Sequence, residues 1–219
     1  MKNIWCLVVI CSLVGYTQTY GQTDSIKEVI THKGFFFSVN TGPVIGNIVL
    51  DGNDSMNSKM EISGIGGQVD IKVGGVVSEY ANLIISVDLA YRMISAPSIS
   101  LNGISVKTKD GVTASDLLFG VGITKYFMPS NAFISATFGS GSFGMEYTKV
   151  NILNLSDSKN FNVNSADGFG FQLKGGIEWW YDENWGIGVT GGIAKIMVDD
   201  PEGKFSTTKY FLQLSATFN

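Results

Sequence analysis

From residue 35 to the end of the chain, apolar and polar side chains alternate with a period of two, in eight separate runs. That period belongs to β-strands, whose successive side chains point to opposite faces of a sheet. Phe35 to Gly42 sets Phe35, Phe37, Val39 and Thr41 against Ser38 and Asn40. Ile65 to Val77 sets Ile65, Gly67, Val69, Ile71 and Val73 against Gly66, Gln68, Asp70, Lys72 and Gly74. Asn82 to Ile94, Asp116 to Phe127, and Ala132 to Met145 repeat the theme, the last more weakly. The sixth run starts near Gly168 and carries Phe171, Leu173, Gly175, Ile177 and Trp179 opposite Gln172, Lys174, Gly176, Glu178 and Trp180. Trp185 to Val198 and Lys209 to Phe218 complete the series.

The connections alternate in length. Long loops rich in Asn, Ser, Asp and Gly are expected over 43–63, 95–112, 146–166 and 199–208, and short turns over 78–81, 128–131 and 182–184. An even number of strands with alternating long and short connections is the sequence signature of an outer-membrane barrel. The fold class expected is all-β, an eight-stranded antiparallel up-and-down transmembrane β-barrel following a cleaved signal peptide.

Composition decides which file is wet. Charged residues make up only 16% of the 219-residue chain, against about 25% in ordinary soluble domains. Outside the first 20 residues no apolar stretch reaches the length of a membrane helix. A membrane protein of this kind must satisfy its backbone as a closed barrel. Eight strands enclose only enough room for side chains. The file that mixes glycine with ions therefore points inward, and the bulky file faces lipid. The expected lumen network is Asp70, Lys72, Asp88, Arg92, Asp116, Lys174 and Glu178, whose mixed signs let them pair across the interior and so avoid isolated buried ions.

Aromatic residues cluster where such a barrel meets the headgroups. Tyr80, Tyr126, Phe127, Trp179, Trp180, Tyr181, Trp185 and Phe218 lie near the short turns or the C-terminus and form the expected belt on one edge. Tyr91, Phe143, Tyr147, Phe169 and Tyr210 fall near the long loops, at the other edge.

The N-terminus reads as export machinery. Lys2, the apolar stretch Ile4 to Val14 and the Thr19-Tyr20-Gly21 cleavage pattern predict a signal peptide over residues 1–21. Residues 22–33 are expected to form a periplasmic tail and residues 34–219 the barrel. Cys6 and Cys11 both fall in the signal segment, so the mature chain is left without thiol chemistry. Without Lys2 the chain has 14 basic and 19 acidic residues, a net charge of −5, which disfavours nucleic acid as a partner.

With its signal segment, eight alternating runs and the ending YFLQLSATFN, the chain resembles the small outer-membrane β-barrel family of Gram-negative bacteria, which includes the OmpA membrane domain and the OmpW- and OmpX-like barrels. The likeness covers about residues 34–219 and is one of pattern. It implies residence in the bacterial outer membrane, contact with outer-membrane lipid, and assembly by the barrel-assembly machinery. The last strand resembles the family's assembly signal through Tyr210, Leu212, Leu214 and Phe218, but ends on Asn219 instead of an aromatic residue. It also implies a structural, adhesive or small-channel role, lipid-modifying enzymes being a minority of the family.

Candidate chemistry is sparse. GSGSFG at 139–144 and GIGVTG at 186–191 match a dinucleotide-loop spacing, but they sit in alternating strand patterns with no helix to follow. His32 is the one histidine and precedes the first strand, so a Ser-His dyad on the barrel lacks its base, and a His-containing metal cluster is equally unavailable. Asp199, Asp200 and Glu202 are expected to be a solvated acidic loop rather than a calcium site. No cofactor or metal is expected, and the chain is expected not to be an enzyme. The reading that follows is a barrel whose lumen is plugged by charged residues and whose loops 43–63, 95–112 and 146–166 meet an extracellular ligand. The alternative is a narrow channel for ions or small solutes, using room left by lumen glycines such as Gly120, Gly122, Gly188 and Gly192.

Overall fold

A computed structural model describes residues 32–52, 59–79, 81–147, 161–164, 168–200 and 203–219. The signal segment 1–21 and the tail up to residue 31 lie outside these residues. Nine strands are described: β1 (Phe35–Gly52), β2 (Lys59–Ser78), β3 (Leu83–Leu101), β4 (Ile104–Phe127), β5 (Ala132–Tyr147), β6 (Phe161–Asn164), β7 (Gly168–Trp180), β8 (Trp185–Asp200) and β9 (Gly203–Phe218). Each ring strand pairs antiparallel with its neighbours in the order β4-β3-β2-β1-β9-β8-β7-β5, and β4 pairs with β5 to close the circle. This is an eight-stranded up-and-down barrel. The short β6 stands outside the ring, paired with the upper end of β5 from Gly144↔Asn164 to Tyr147↔Phe161.

The short turns fall where the alternation breaks. Asn82 and Asn131 take positive φ there, a conformation asparagine tolerates better than most residues. The connections expected to be long differ from that expectation. β1 and β2 stay paired out to Asp51↔Lys59, and β3 and β4 out to Leu101↔Ile104. Between the latter only Asn102 and Gly103 remain, both at positive φ, as a tight two-residue hairpin turn requires. β8 and β9 likewise stay paired to Asp200↔Gly203. The supposed loops 43–63, 95–112 and 199–208 are thus mostly strand. Of the expected loop 146–166, residues 161–164 form β6, and 148–160 and 165–167 lie outside the described residues.

These arms make the strands much longer than a crossing demands: β1 has 18 residues and β4 has 24, against roughly 9–11 for a tilted membrane strand. The interior is layered accordingly. Phe36, Ile84, Tyr126 and Phe133 form an apolar floor at the short-turn end. Polar and charged groups fill the middle. Above them lies a larger apolar core including Val44, Ile48, Ile62, Ile94, Leu118, Ile196 and Phe205. The lipid-facing band is carried by outward residues such as Val73, Val87, Phe119, Val121, Ile134, Leu173 and Leu214, all exposed in the isolated chain.

Candidate functional site: the lumen

The central layer is assembled from one inward file per strand. β2 supplies Gln68, Asp70 and Lys72; β3 supplies Ser86, Asp88 and Arg92; β4 supplies Asp116 and Thr124. β5 adds Ser135 and Thr137, β7 adds Gln172, Lys174 and Glu178, and β9 adds Lys209, Gln213 and Ser215. All are buried.

Three ion-pair groups account for most of the charge. Lys72 Nζ lies 2.9 Å from Asp88 Oδ2 and donates to Ser135 Oγ at 2.7 Å. The Asp88 carboxylate also accepts from Ser86 Oγ at 2.6 Å and from the Thr137 hydroxyl. Lys174 Nζ lies 2.9 Å from Asp70 Oδ2, which further accepts from Gln172 Nε2 at 2.6 Å. Asp116 holds two cations: Arg92 Nη1 at 3.0 Å on Oδ1 and Lys209 Nζ at 2.6 Å on Oδ2. Thr207 Oγ1 donates to the same Oδ2 at 3.2 Å, and Arg92 Nη2 donates to Gln172 Oε1, which ties the Asp116 group to the Asp70 group.

Glu178 stands apart. Among the described residues no cation is within salt-bridge reach of it. Its Oε2 accepts from Tyr126 OH at 3.3 Å. The sequence groups Glu178 with the paired lumen ions; the structure brings the other six into ion pairs and leaves this one near the floor.

The lumen glycines make room for their neighbours. A Cβ at Gly122 would land on the Asp88 carboxylate and the Ser86 hydroxyl, and a Cβ at Gly192 on the Phe211 ring. At these positions a neighbour occupies the space that a side chain would take.

Two residues assigned to the belt turn inward. Tyr126 is buried in the floor, and Trp180 stands on the same file as Glu178, with its ring 5.0 Å from that of His32. The reason is the strand period: Tyr126 and Phe127, or Trp179 and Trp180, are sequence neighbours and cannot share a face. Phe127, Trp179, Tyr181 and Trp185 are exposed on the outside, and Trp185 packs edge-on against Phe218 with centroids 5.2 Å apart. Tyr80 lies outside the described residues. At the other edge Phe143 is inward too, in the upper core, whereas Tyr91, Phe169 and Tyr210 face out.

The sequence reading missed Lys209, Gln172 and His32. Lys209 opened the eighth run beside an expected loop, yet it shares the inward parity of Gln213 and Ser215. Gln172 was seen only as a polar position. His32, assigned to the tail, is fully buried across the short-turn end of the barrel, and burial lowers its pKa from the usual 6.5. No pattern marks it, because it precedes the first run. The glycines of both GxGxxG matches lie in β5 and β8, and there is no helix among the described residues. Asp199 lies at the end of β8, 3.8 Å from Lys204, both exposed.

No family model and no curated protein matches this chain. Solved structures do. The outer membrane protease OmpT from Escherichia coli superposes with a TM-score of 0.53 at 7% identity, over 90% of this chain and 99% of that one. OprG, an outer membrane protein from Pseudomonas aeruginosa, gives 0.49 at 12% identity over 88% and 100%. The attachment invasion locus protein Ail of Yersinia pestis gives 0.47 at 10% identity over 85% and 99%. At such identities the likeness shows the fold alone, which is that of small bacterial outer-membrane β-barrels. The apolar outer band agrees with that setting. The expectation that the chain is not an enzyme does not stand, since a barrel of similar fold is a protease and the architecture carries no such exclusion.

Proposed function

We propose that this outer-membrane barrel acts through the β-arms it raises beyond the membrane, and that its lumen is a closed support for them and no channel. The observation that carries the reading is the layered interior. A solute crossing the barrel would have to part the ion-pair groups around Asp70, Asp88 and Asp116 and then the apolar core around Ile48, Ile62 and Ile196. Leaving a buried ion unpaired costs several kcal/mol, of order 3–5. Opening the apolar core adds the loss of close packing.

The arms suit presentation. Their inner faces are held by the upper core, and their outer faces carry Asn47, Lys59, Glu61, Ser95 and Lys204 to water. An extracellular ligand for the arms spanning 43–63 and 95–112, and for the connection 146–166, is part of this proposal.

Two measurements test it. Purified protein in planar bilayers is expected to show no conductance steps above the lipid background; discrete openings would restore the channel alternative. An epitope inserted between Asn102 and Gly103 is expected to bind antibody on intact cells. Its burial, or its appearance only after the outer membrane is broken, would end the display reading.

A further inference from the structure

The periplasmic mouth is closed by a side chain that comes from outside the ring. His32 precedes β1, yet its ring is fully buried, 3.7 Å from the Tyr126 ring and 5.0 Å from the Trp180 ring. Its Nε2 is 3.1 Å from Asn131 Oδ1 in the β4–β5 turn. The segment is further fixed where Val76 N donates to Gly34 O at 2.9 Å. Residues 32–34 thus lie across the end of the barrel and, among the described residues, are held by side-chain contacts and the backbone hydrogen bond at Gly34. The ring strands are held by strand pairing.

Just inside is a cavity of about 10 Å³ bounded by Phe36, Lys72, Tyr126, Lys174, Glu178 and Ser215. A space of that size holds one water molecule, and water occupies a cavity when polar partners line it. Here they do. Glu178 Oε1 and Ser215 Oγ are both buried without a hydrogen-bond partner among the described residues. Both side chains lie against β8: a Cβ at Gly186 would strike the Glu178 carboxylate, and one at Gly188 would strike Ser215 Oγ. A buried carboxylate with neither counter-ion nor donor on one oxygen is a costly arrangement in a dry site. A water donating to that oxygen satisfies it. On the extracellular side the apolar core, with Ile48, Ile94, Leu118 and Ile196, offers water nothing to bind. The remaining approach is past His32.

We propose that residues 32–34 are a stopper on a dead-ended chamber that opens to the periplasm alone, and that the chamber's ligand is a water donating to Glu178 Oε1. The proposal goes beyond the display reading and does not depend on it, since a chamber closed outward is compatible with any role of the arms.

Cysteine labelling tests it. Ser38 lines the same chamber and is buried. Full-length S38C protein is placed in vesicles of one orientation and treated with a small water-borne thiol reagent on either face. Modification at residue 38 is then followed by mass spectrometry, which separates it from Cys6 and Cys11. Labelling of S38C alone is expected to be slow. Adding His32→Ala is expected to speed it at least tenfold, from the periplasmic face only. His32→Phe, which restores a ring to the site, is expected to bring the rate back down. If the His32→Ala chain fails to fold, Asn131→Ala serves in its place, and a rise of severalfold is expected from the lost anchor. Equal rates with and without the substitution that folds, or equal labelling from both faces, would overturn the stopper.

Discussion

Along β3 the two halves of the barrel read as opposites. Below Arg92 the inward residues are Ser86 and Asp88 and the outward ones Val87 and Leu89; above it the inward residues are Ile94, Ala96 and Ile99 and the outward ones Ser95 and Pro97. β1 changes in the same way, from inward Ser38 and Asn40 to inward Val44 and Ile48, while its outer face passes from Phe37 and Val39 to Asn47 and Asp51. One continuous sheet therefore solves two solvation problems. In the membrane half the outside is hydrocarbon, which accepts bulky side chains, so polar groups collect within and must pair. In the projecting half the outside is water, and the interior is an ordinary hydrophobic core. The switch in polarity comes where the surroundings change, while β1 and β2 stay paired straight through it.

Three experiments sharpen or break this comparison. The largest effect is expected in the lower half from Asp116→Ala, which strips Arg92 and Lys209 of their shared carboxylate at once. Removing one partner of a buried ionic group costs about 3–5 kcal/mol, read as a lowered urea midpoint for unfolding from lipid vesicles. A loss under about 1 kcal/mol would mean that water reaches these cations and that the lower half is not sealed.

The second experiment sets the upper core against the lipid face. Ile196 is fully buried in the projecting half, and Leu214 is exposed toward lipid. Ile196→Ala is expected to cost about 3–4 kcal/mol, because transfer and cavity terms add. Leu214→Ala is expected to cost about 2 kcal/mol, since fluid acyl chains fill the gap and only transfer is lost. Equal costs, measured under the same conditions, would show that the upper interior is not close-packed.

The smallest effect concerns His32. Burial holds its folded-state pKa below the unfolded value of 6.5, so the unfolded chain takes up a proton first as pH falls. Its contribution to stability is intact above pH 6.5 and declines below it, until the folded-state pKa is reached. Tyr126 faces the ring directly and Glu178 stands behind it, while Asn131 and Asn219 are neutral. Urea midpoints at pH 7.5 and 5.5, compared between the natural chain and His32→Gln, isolate the histidine from the carboxylates common to both. A variant that loses as much stability on acidification as the natural chain would show that His32 carries none of the dependence.

The extent of the two halves was legible to different degrees. In the lower half each inward file could be read residue by residue, since strand parity is a local property. The same parity, applied strictly, would have moved Tyr126 and Trp180 inward from the belt and Lys209 into the lumen. In the upper half the pattern was hidden by its own inversion. Segments such as Ser95-Ala96-Pro97-Ser98-Ile99 place small polar residues outside and apolar ones inside, across a register shift between Ala96 and Ser98, and so resemble loops.

Alternation, sparse charge and the rhythm of the turns determined a closed ring of eight strands with ions within, because each of these follows from backbone geometry and from the need to satisfy every peptide group in lipid. Three-dimensional closure alone decided the rest. Which carboxylate meets which cation, why Glu178 has none, and how a histidine ahead of the first strand comes to rest on Tyr126 all depend on contacts across the ring. Such contacts join positions as distant as His32 and Asn131, or Asp70 and Lys174, and no periodicity along the chain encodes a distance measured through the barrel.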